Sequence, residues 1–163
     1  MLRNAVLFAV AFGLSSAALR AEDKTPEKQI EYHVYGSYFE SNQSGLKGDA
    51  TSIIACLDQD AFDNVFHPAA VMRKKQEFLP KDAFDKQFVV AVIKRGKATW
   101  DFKVESVTAE KDTVFVRYKG EEQKSSGTAT FATPLIIALD KGSYTSVVYI
   151  ENGKEIGKAK LEK

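Results

Sequence analysis

The chain has 163 residues, with 23 Lys and Arg against 22 Asp and Glu and a formal net charge of +1. Both signs are interspersed along its length, and no broad basic face is present, which excludes nucleic acid as the expected partner. A lone cysteine, Cys56, excludes an intramolecular disulfide, so the fold must rest on packing.

The first segment reads as a secretory signal peptide over residues 1–21. Arg3 precedes an apolar run from Ala5 to Leu14, too short to span a bilayer, and small residues through Ala17, Ala18 and Ala21 form the exit. The protein is therefore expected to be exported, either periplasmic or secreted. Loss of Arg3 and Arg20 takes the net charge from +1 to −1. The remaining residues 22–163 are expected to form a single β-rich domain, since roughly 140 residues bury a sufficient core without staples. Cys56 lies in the apolar setting Ser52–Leu57, far from the signal-peptide exit. It reads as a buried, inert thiol, and no membrane anchor is expected after cleavage.

After a polar lead from Glu22 to Lys28, apolar residues recur at period two. Ile30, Tyr32 and Val34 alternate with Glu31, His33 and Tyr35, predicting a strand that buries the first set. Gly36 interrupts it, a loop with Gly45 and Gly48 covers Ser41 to Asp49, and Ser52 to Leu57 is a short apolar strand. Asp58 or Asp60 can cap a helix that places Ala61, Phe62, Val65 and Phe66 on one face and closes at His67-Pro68. Asp82-Ala83-Phe84-Asp85 echoes Asp60-Ala61-Phe62-Asp63, and each tetrapeptide predicts a capped helical turn whose Phe enters the core.

The continuous apolar run Phe88 to Ile93 predicts a central strand covered on both faces. Trp100, Phe102 and Val104 alternate with charged residues, and Val114 to Tyr118 returns as the second arm of an antiparallel hairpin. Lys119 to Gly127 is polar throughout and predicts an exposed connection. Pro134, in the strand Thr128 to Leu139, argues for an edge or a bend. Asn152-Gly153 joins Tyr144–Ile150 to Glu155–Leu161 as a two-residue type I′ turn. The fold class predicted is mainly β, a sandwich or partly open barrel of mostly antiparallel strands with one or two short helices.

From about residue 84 to 153 the chain resembles the PrcB C-terminal domain family, named for a bacterial protease-complex subunit. The resemblance lies in the strand Phe88 to Ile93 ending in Lys94-Arg95-Gly96, in the Thr99-Trp100 strand entry, and in Ala132-Thr133-Pro134-Leu135 leading into a late strand. Where the family places glycine beside the strand-entry aromatic, this chain has Ala98 and Thr99. The resemblance implies a small β-rich exported domain that associates with a protein partner and has no active site.

No catalytic pattern stands out. His33 falls on the polar face of a strand and His67 at a helix end, and their spacing fits no standard zinc pair. Gly36-Ser37 and Gly142-Ser143 do not complete a nucleophile elbow. Asp58, Asp60 and Asp63 suit a capped helix start better than a calcium loop, and Arg73-Lys74-Lys75 reads as a solvated cluster. Asn42-Gln43-Ser44 is formally a glycosylation sequon. No enzyme activity, cofactor or metal is expected.

The aromatic side chains carry the functional expectation. Tyr35 and Tyr38 are out of phase on one strand, so at least one should point away from the core, and Trp100 sits on the predicted hairpin. These three are the candidate contact residues. The expected function is non-catalytic binding of another exported protein, with a protease in view. The alternative is binding of a small apolar ligand in the mouth of the barrel or sandwich.

Overall fold

The computed structural model describes residues 27–46, 50–69, 77–124 and 127–161. The expected signal peptide, Gly48 and the Arg73-Lys74-Lys75 cluster lie outside the described residues. Along the chain run β1 (Lys28–Gln29), β2 (Tyr32–Tyr35), β3 (Tyr38–Glu40), β4 (Thr51–Cys56), α1 (Gln59–Val65), β5 (Phe66–Pro68) and α2 (Ala83–Lys86). They are followed by β6 (Gln87–Gly96), β7 (Thr99–Glu110), β8 (Thr113–Gln123), β9 (Phe131–Asp140), β10 (Ser146–Glu151) and β11 (Lys154–Lys160). Among the described residues no helix is long and apolar enough to cross a membrane.

The strands form a sandwich of two sheets with an additional layer on one side. One sheet has the order β1-β7-β8-β10-β11, the other β2-β9-β6-β4, and β3 pairs with β5 in a small two-stranded sheet. All pairings are antiparallel except β8 with β10, which run parallel from Thr113↔Ser146 to Tyr118↔Glu151. The connection between those two strands passes through β9 in the opposite sheet.

Alternation along β6 and β9 feeds two separate cores. Phe88, Val90, Val92, Leu135, Ile137 and Leu139 face the five-stranded sheet and meet Val107, Val114, Val116, Tyr118, Val147 and Tyr149. Their neighbours Val89, Ala91, Ile93, Ile136 and Ala138 face the other way, against Cys56, Phe62, Phe66 and Phe84. Both faces are covered, which is why these strands read as unbroken apolar runs. Each such fully buried aliphatic side chain contributes roughly 1.5–3 kcal/mol relative to exposure. The Tyr149 hydroxyl donates to the Ile54 carbonyl at 2.6 Å and ties the two sheets together.

The echoed tetrapeptides behave alike in packing but differently in capping. The Asp58 carboxylate accepts the Ala61 N–H at 2.8 Å and caps α1, whereas Asp82 makes no side-chain cap bond to α2. Phe62 and Phe84 nevertheless enter the same core, with ring centroids 5.9 Å apart.

Several expectations are corrected. In β2 the buried residue is Tyr35, while Tyr32 and Val34 are 38 % and 37 % exposed. They pair with Leu139 and Ile137 and share that face of the sheet, but β2 is the edge strand and its outer flank is left uncovered. His67 lies in β5 opposite Phe39 rather than at a helix end. β8 continues to Gln123, through the stretch expected to be a connection. The inward residue there is Gly120, where a Cβ would stand 2.5 Å from the Glu151 carboxylate, so the alternation has no apolar member to show it. Pro134 sits in an interior strand, yet β2 pairs only with Ile136–Leu139, so β9 is locally an edge at the proline. The Asn152-Gly153 turn forms as expected, with φ of 51° and 78°.

Candidate functional site

Gly36 and Ser37 break the strand between β2 and β3. The break changes the phase, so Tyr35 and Tyr38 both pack on the core that holds Phe62 and Phe66, contrary to the expectation that one would point away. Tyr35 is 8 % exposed and its ring lies 4.5 Å from that of His33. Tyr38 meets Phe62 edge-on at 5.0 Å, and its hydroxyl accepts the Leu79 N–H at 2.9 Å. Burial, reinforced by Tyr38 and by the Glu77 carboxylate, pushes the Tyr35 phenol above its ordinary value. Both phenols stay neutral and act through packing.

Adjacent residues of a strand face opposite ways. With Tyr38 turned inward, Phe39 is therefore turned outward, and it is 44 % exposed. Phe78, in the segment that docks on Tyr38, is 41 % exposed, with its ring edge-on to Tyr38 at 5.8 Å. Together with Tyr32 and Val34, these are the large hydrophobic side chains exposed among the described residues; Tyr32 and Val34 stand on the face of β2 turned toward the five-stranded sheet, and Phe78 lies with Tyr38 on the other face. No described strand pairs with the outer edge of β2. His33 and Glu77 approach to 3.8 Å across the β2–β3 corner.

Beside this corner lies a cleft of about 630 Å³ with Phe39 and Phe131 on its walls and Glu40, Asn42, Arg95 and Gly96 among its lining. The Arg95 guanidinium grips both Glu40 oxygens, at 2.7 and 2.6 Å, and donates to the Ser52 hydroxyl at 2.8 Å. Such a fork is stronger and more directional than a single ion pair. Burial pushes the Glu40 carboxyl up, but the Arg95 and Ser44 hydrogen bonds with the Arg95 charge outweigh it and leave the group below its ordinary value. The fork joins β3 to β6 and fixes the position of Phe39.

Trp100 belongs to a different cluster, on the opposite face of the four-stranded sheet. It stacks on Phe102 with centroids 6.5 Å apart, and the Lys94 ammonium stands 4.8 Å over its ring. Lys94 also donates to Glu151 at 2.6 Å. The Tyr118 hydroxyl is buried nearby without a hydrogen-bond partner among the described residues, and burial with the Glu151 charge pushes its phenol up. The structure therefore brings Tyr35 and Tyr38 together and leaves Trp100 apart.

Phe39 and Phe78 were legible only indirectly. Two adjacent aromatics in one strand must straddle it, so Tyr38-Phe39 implies one outward ring. Nothing in the sequence marks Glu40 and Arg95 as partners. Among the described residues, no group of three or more His, Cys, Asp or Glu side chains is placed to hold a metal ion. Comparison of the chain with protein-family models, with curated proteins and with solved structures gave no match.

Proposed function

We propose that this chain is an exported, non-catalytic interaction domain that holds an extended segment of another exported protein at the β2–β3 corner. On the PrcB-like resemblance, that protein is a protease. The observation that carries this reading is the edge of β2 that no described strand pairs, with Tyr32 and Val34 exposed along it, Phe39 exposed on the following strand, and Phe78 exposed in the segment that packs on Tyr38. An open edge accepts an extended peptide through main-chain hydrogen bonds, and flanking apolar side chains supply selectivity. The cleft between Phe39 and Phe131 has room for side chains of such a segment. The space between the sheets is filled by Val90, Val92, Val116, Leu135 and Ile137, which favours a surface contact over a ligand held inside.

The test places a photoreactive benzoylphenylalanine at position 34 or 39 of chain 22–163, with position 119 as control. The protein is irradiated in the native envelope or secreted fraction. The expected result is a single stoichiometric protein adduct at positions 34 and 39, absent at 119, and lost from position 34 in an F39S background and from position 39 in a V34K background, each of unchanged circular dichroism. A co-purifying lipid or metabolite without any protein adduct would replace this reading with the ligand-binding one.

A further inference from the structure

β7 carries β8 along one edge from Thr99 to Glu110. Among the described residues its other edge carries only β1, at Thr108 and Ala109, and the Ile30 N–H bonds to the Val107 carbonyl at 2.9 Å. Among the described residues nothing pairs with that edge from Thr99 to Ser106. Thr99, Asp101, Lys103 and Glu105 are exposed on its outer face, while Trp100, Phe102 and Val104 are half-buried on the inner one. An open edge of this kind, regular up to the bulge at Glu105, is a template for another strand.

The outer face carries two like-charge pairs. In the β7–β8 ladder Asp101 lies opposite Glu121, and Lys103 lies opposite Lys119, whose ammonium is engaged by the Glu105 carboxylate at 3.1 Å. Like charges directly opposed in a sheet are destabilising. A strand added to the free edge would relieve both pairs if it presented a cation beside Asp101 and an anion beside Lys103.

A second copy of β7 meets this requirement in one register. For two copies to keep their cores on the same side of a joined sheet, the two-fold axis must pass perpendicular to the sheet through a residue. An axis at Asp101 opposes two carboxylates, and an axis at Lys103 opposes two ammoniums. An axis at Trp100 sets Lys103 against Lys97. An axis at Val104 uses Glu105, the extra residue of a bulge against β8, and drives the ladder into Val107, which Ile30 already holds. An axis at Phe102 sets Asp101 against Lys103 in both directions, Trp100 against Val104, and Phe102 against its own copy. Across the joined sheet the charges then alternate in pairs of opposite sign. β1 closes the edge from Val107 onward, so the pairing ends there in each copy.

We infer that the chain forms a two-fold homodimer by antiparallel pairing of β7 edges centred on Phe102, joining the five-stranded sheets of both copies. The ribbon is short, so the dimer is reversible and concentration-dependent. This surface is separate from the β2–β3 corner, and either assignment can fail alone.

The test is sedimentation equilibrium of chain 22–163 with the charge reversals D101K, K103D and D101K/K103D. Each single reversal opposes like charges at two places in the dimer and is expected to weaken association about tenfold. The double reversal restores complementarity and is expected to return the dissociation constant to within about threefold of wild type. Each single reversal also relieves a like-charge pair inside the monomer, so thermal stability should hold or rise, and loss of dimer cannot be ascribed to loss of fold. Concentration-dependent hydrogen-exchange protection at residues 100–104 is the second readout. A chain that stays monomeric at the highest attainable concentration would overturn the inference, as would a dimer that ignores both single reversals.

Discussion

The Lys94–Glu151 pair permits a quantitative test of how the two sheets are held together. Its atoms stand 2.6 Å apart, with side chains only 13 % and 9 % exposed. Glu151→Gln keeps the shape of the side chain and removes its charge, leaving the Lys94 ammonium between an amide and the Trp100 ring. Breaking a buried pair from one side costs about 3–5 kcal/mol, because the remaining charge is uncompensated. The cation–π contact that survives recovers about 0.5–2 kcal/mol of that. The expected loss is therefore about 1–4.5 kcal/mol, and Lys94→Met should lose a similar amount by stranding the carboxylate. With both changes no buried charge remains, so the double variant should cost less than the two singles added, by at least about 1 kcal/mol. Trp100 is the single tryptophan and touches the pair, so urea denaturation followed by its fluorescence reads the site directly. Strict additivity of the two variants, or a loss below about 0.5 kcal/mol for Glu151→Gln, would refute the reasoning and mean that water screens the pair.

Gly120→Ala should destabilise the fold, because its Cβ would stand 2.5 Å from Glu151 Oε1, in a carboxylate that Lys94 anchors through Oε2. The overpacking, about 1–3 kcal/mol, exceeds the roughly 0.5–1 kcal/mol gained from a less flexible unfolded chain, and the urea midpoint would show the difference. The Glu40 carboxyl is held below its unfolded value of 4.5, so its contribution is fully present above that pH and is lost as pH falls through the folded value. Stability measured from pH 6 downward should therefore decline in the wild type and decline less in Glu40→Gln; equal slopes would remove the fork as the cause. Burial, with the Asp58 charge, pushes the Cys56 thiol up to about 12. Native protein at pH 8 should resist a thiol reagent until urea unfolds it, and rapid labelling without denaturant would contradict the buried placement.

Much of the architecture was legible because it rests on local chemistry. The doubly apolar runs of β6 and β9 announced strands covered on both sides, and Asn152-Gly153 announced its turn through the positive φ that both positions adopt. What could not be read was set by distant partners. Whether Tyr32 or Tyr35 is buried depends on how far the opposite sheet reaches over an edge strand, which period-two alternation does not encode. The strand from Lys119 to Gln123 was hidden because its inward position is a glycine, chosen to make room for a carboxylate 31 residues further on. The Glu40–Arg95 fork closes across 55 residues of sequence. Tyr35 and Tyr38 were placed out of phase by counting residues, but the break at Gly36-Ser37 resets the count.

The route of the chain between β8 and β10 has a consequence for how the protein is assembled. These neighbours in one sheet are separated in sequence by β9, an interior strand of the other. β1 and β2 likewise cross from one sheet to the other within a few residues. Neither sheet can therefore be completed while the other is missing, and no cut divides the described chain into halves that each own a finished sheet. The barrier to folding must include distant pairings made together, as expected for slow, all-or-none folding. Damage at either face, whether in the packed interior or at the β3–β5 layer, should then be felt as a loss for the whole domain rather than as local fraying.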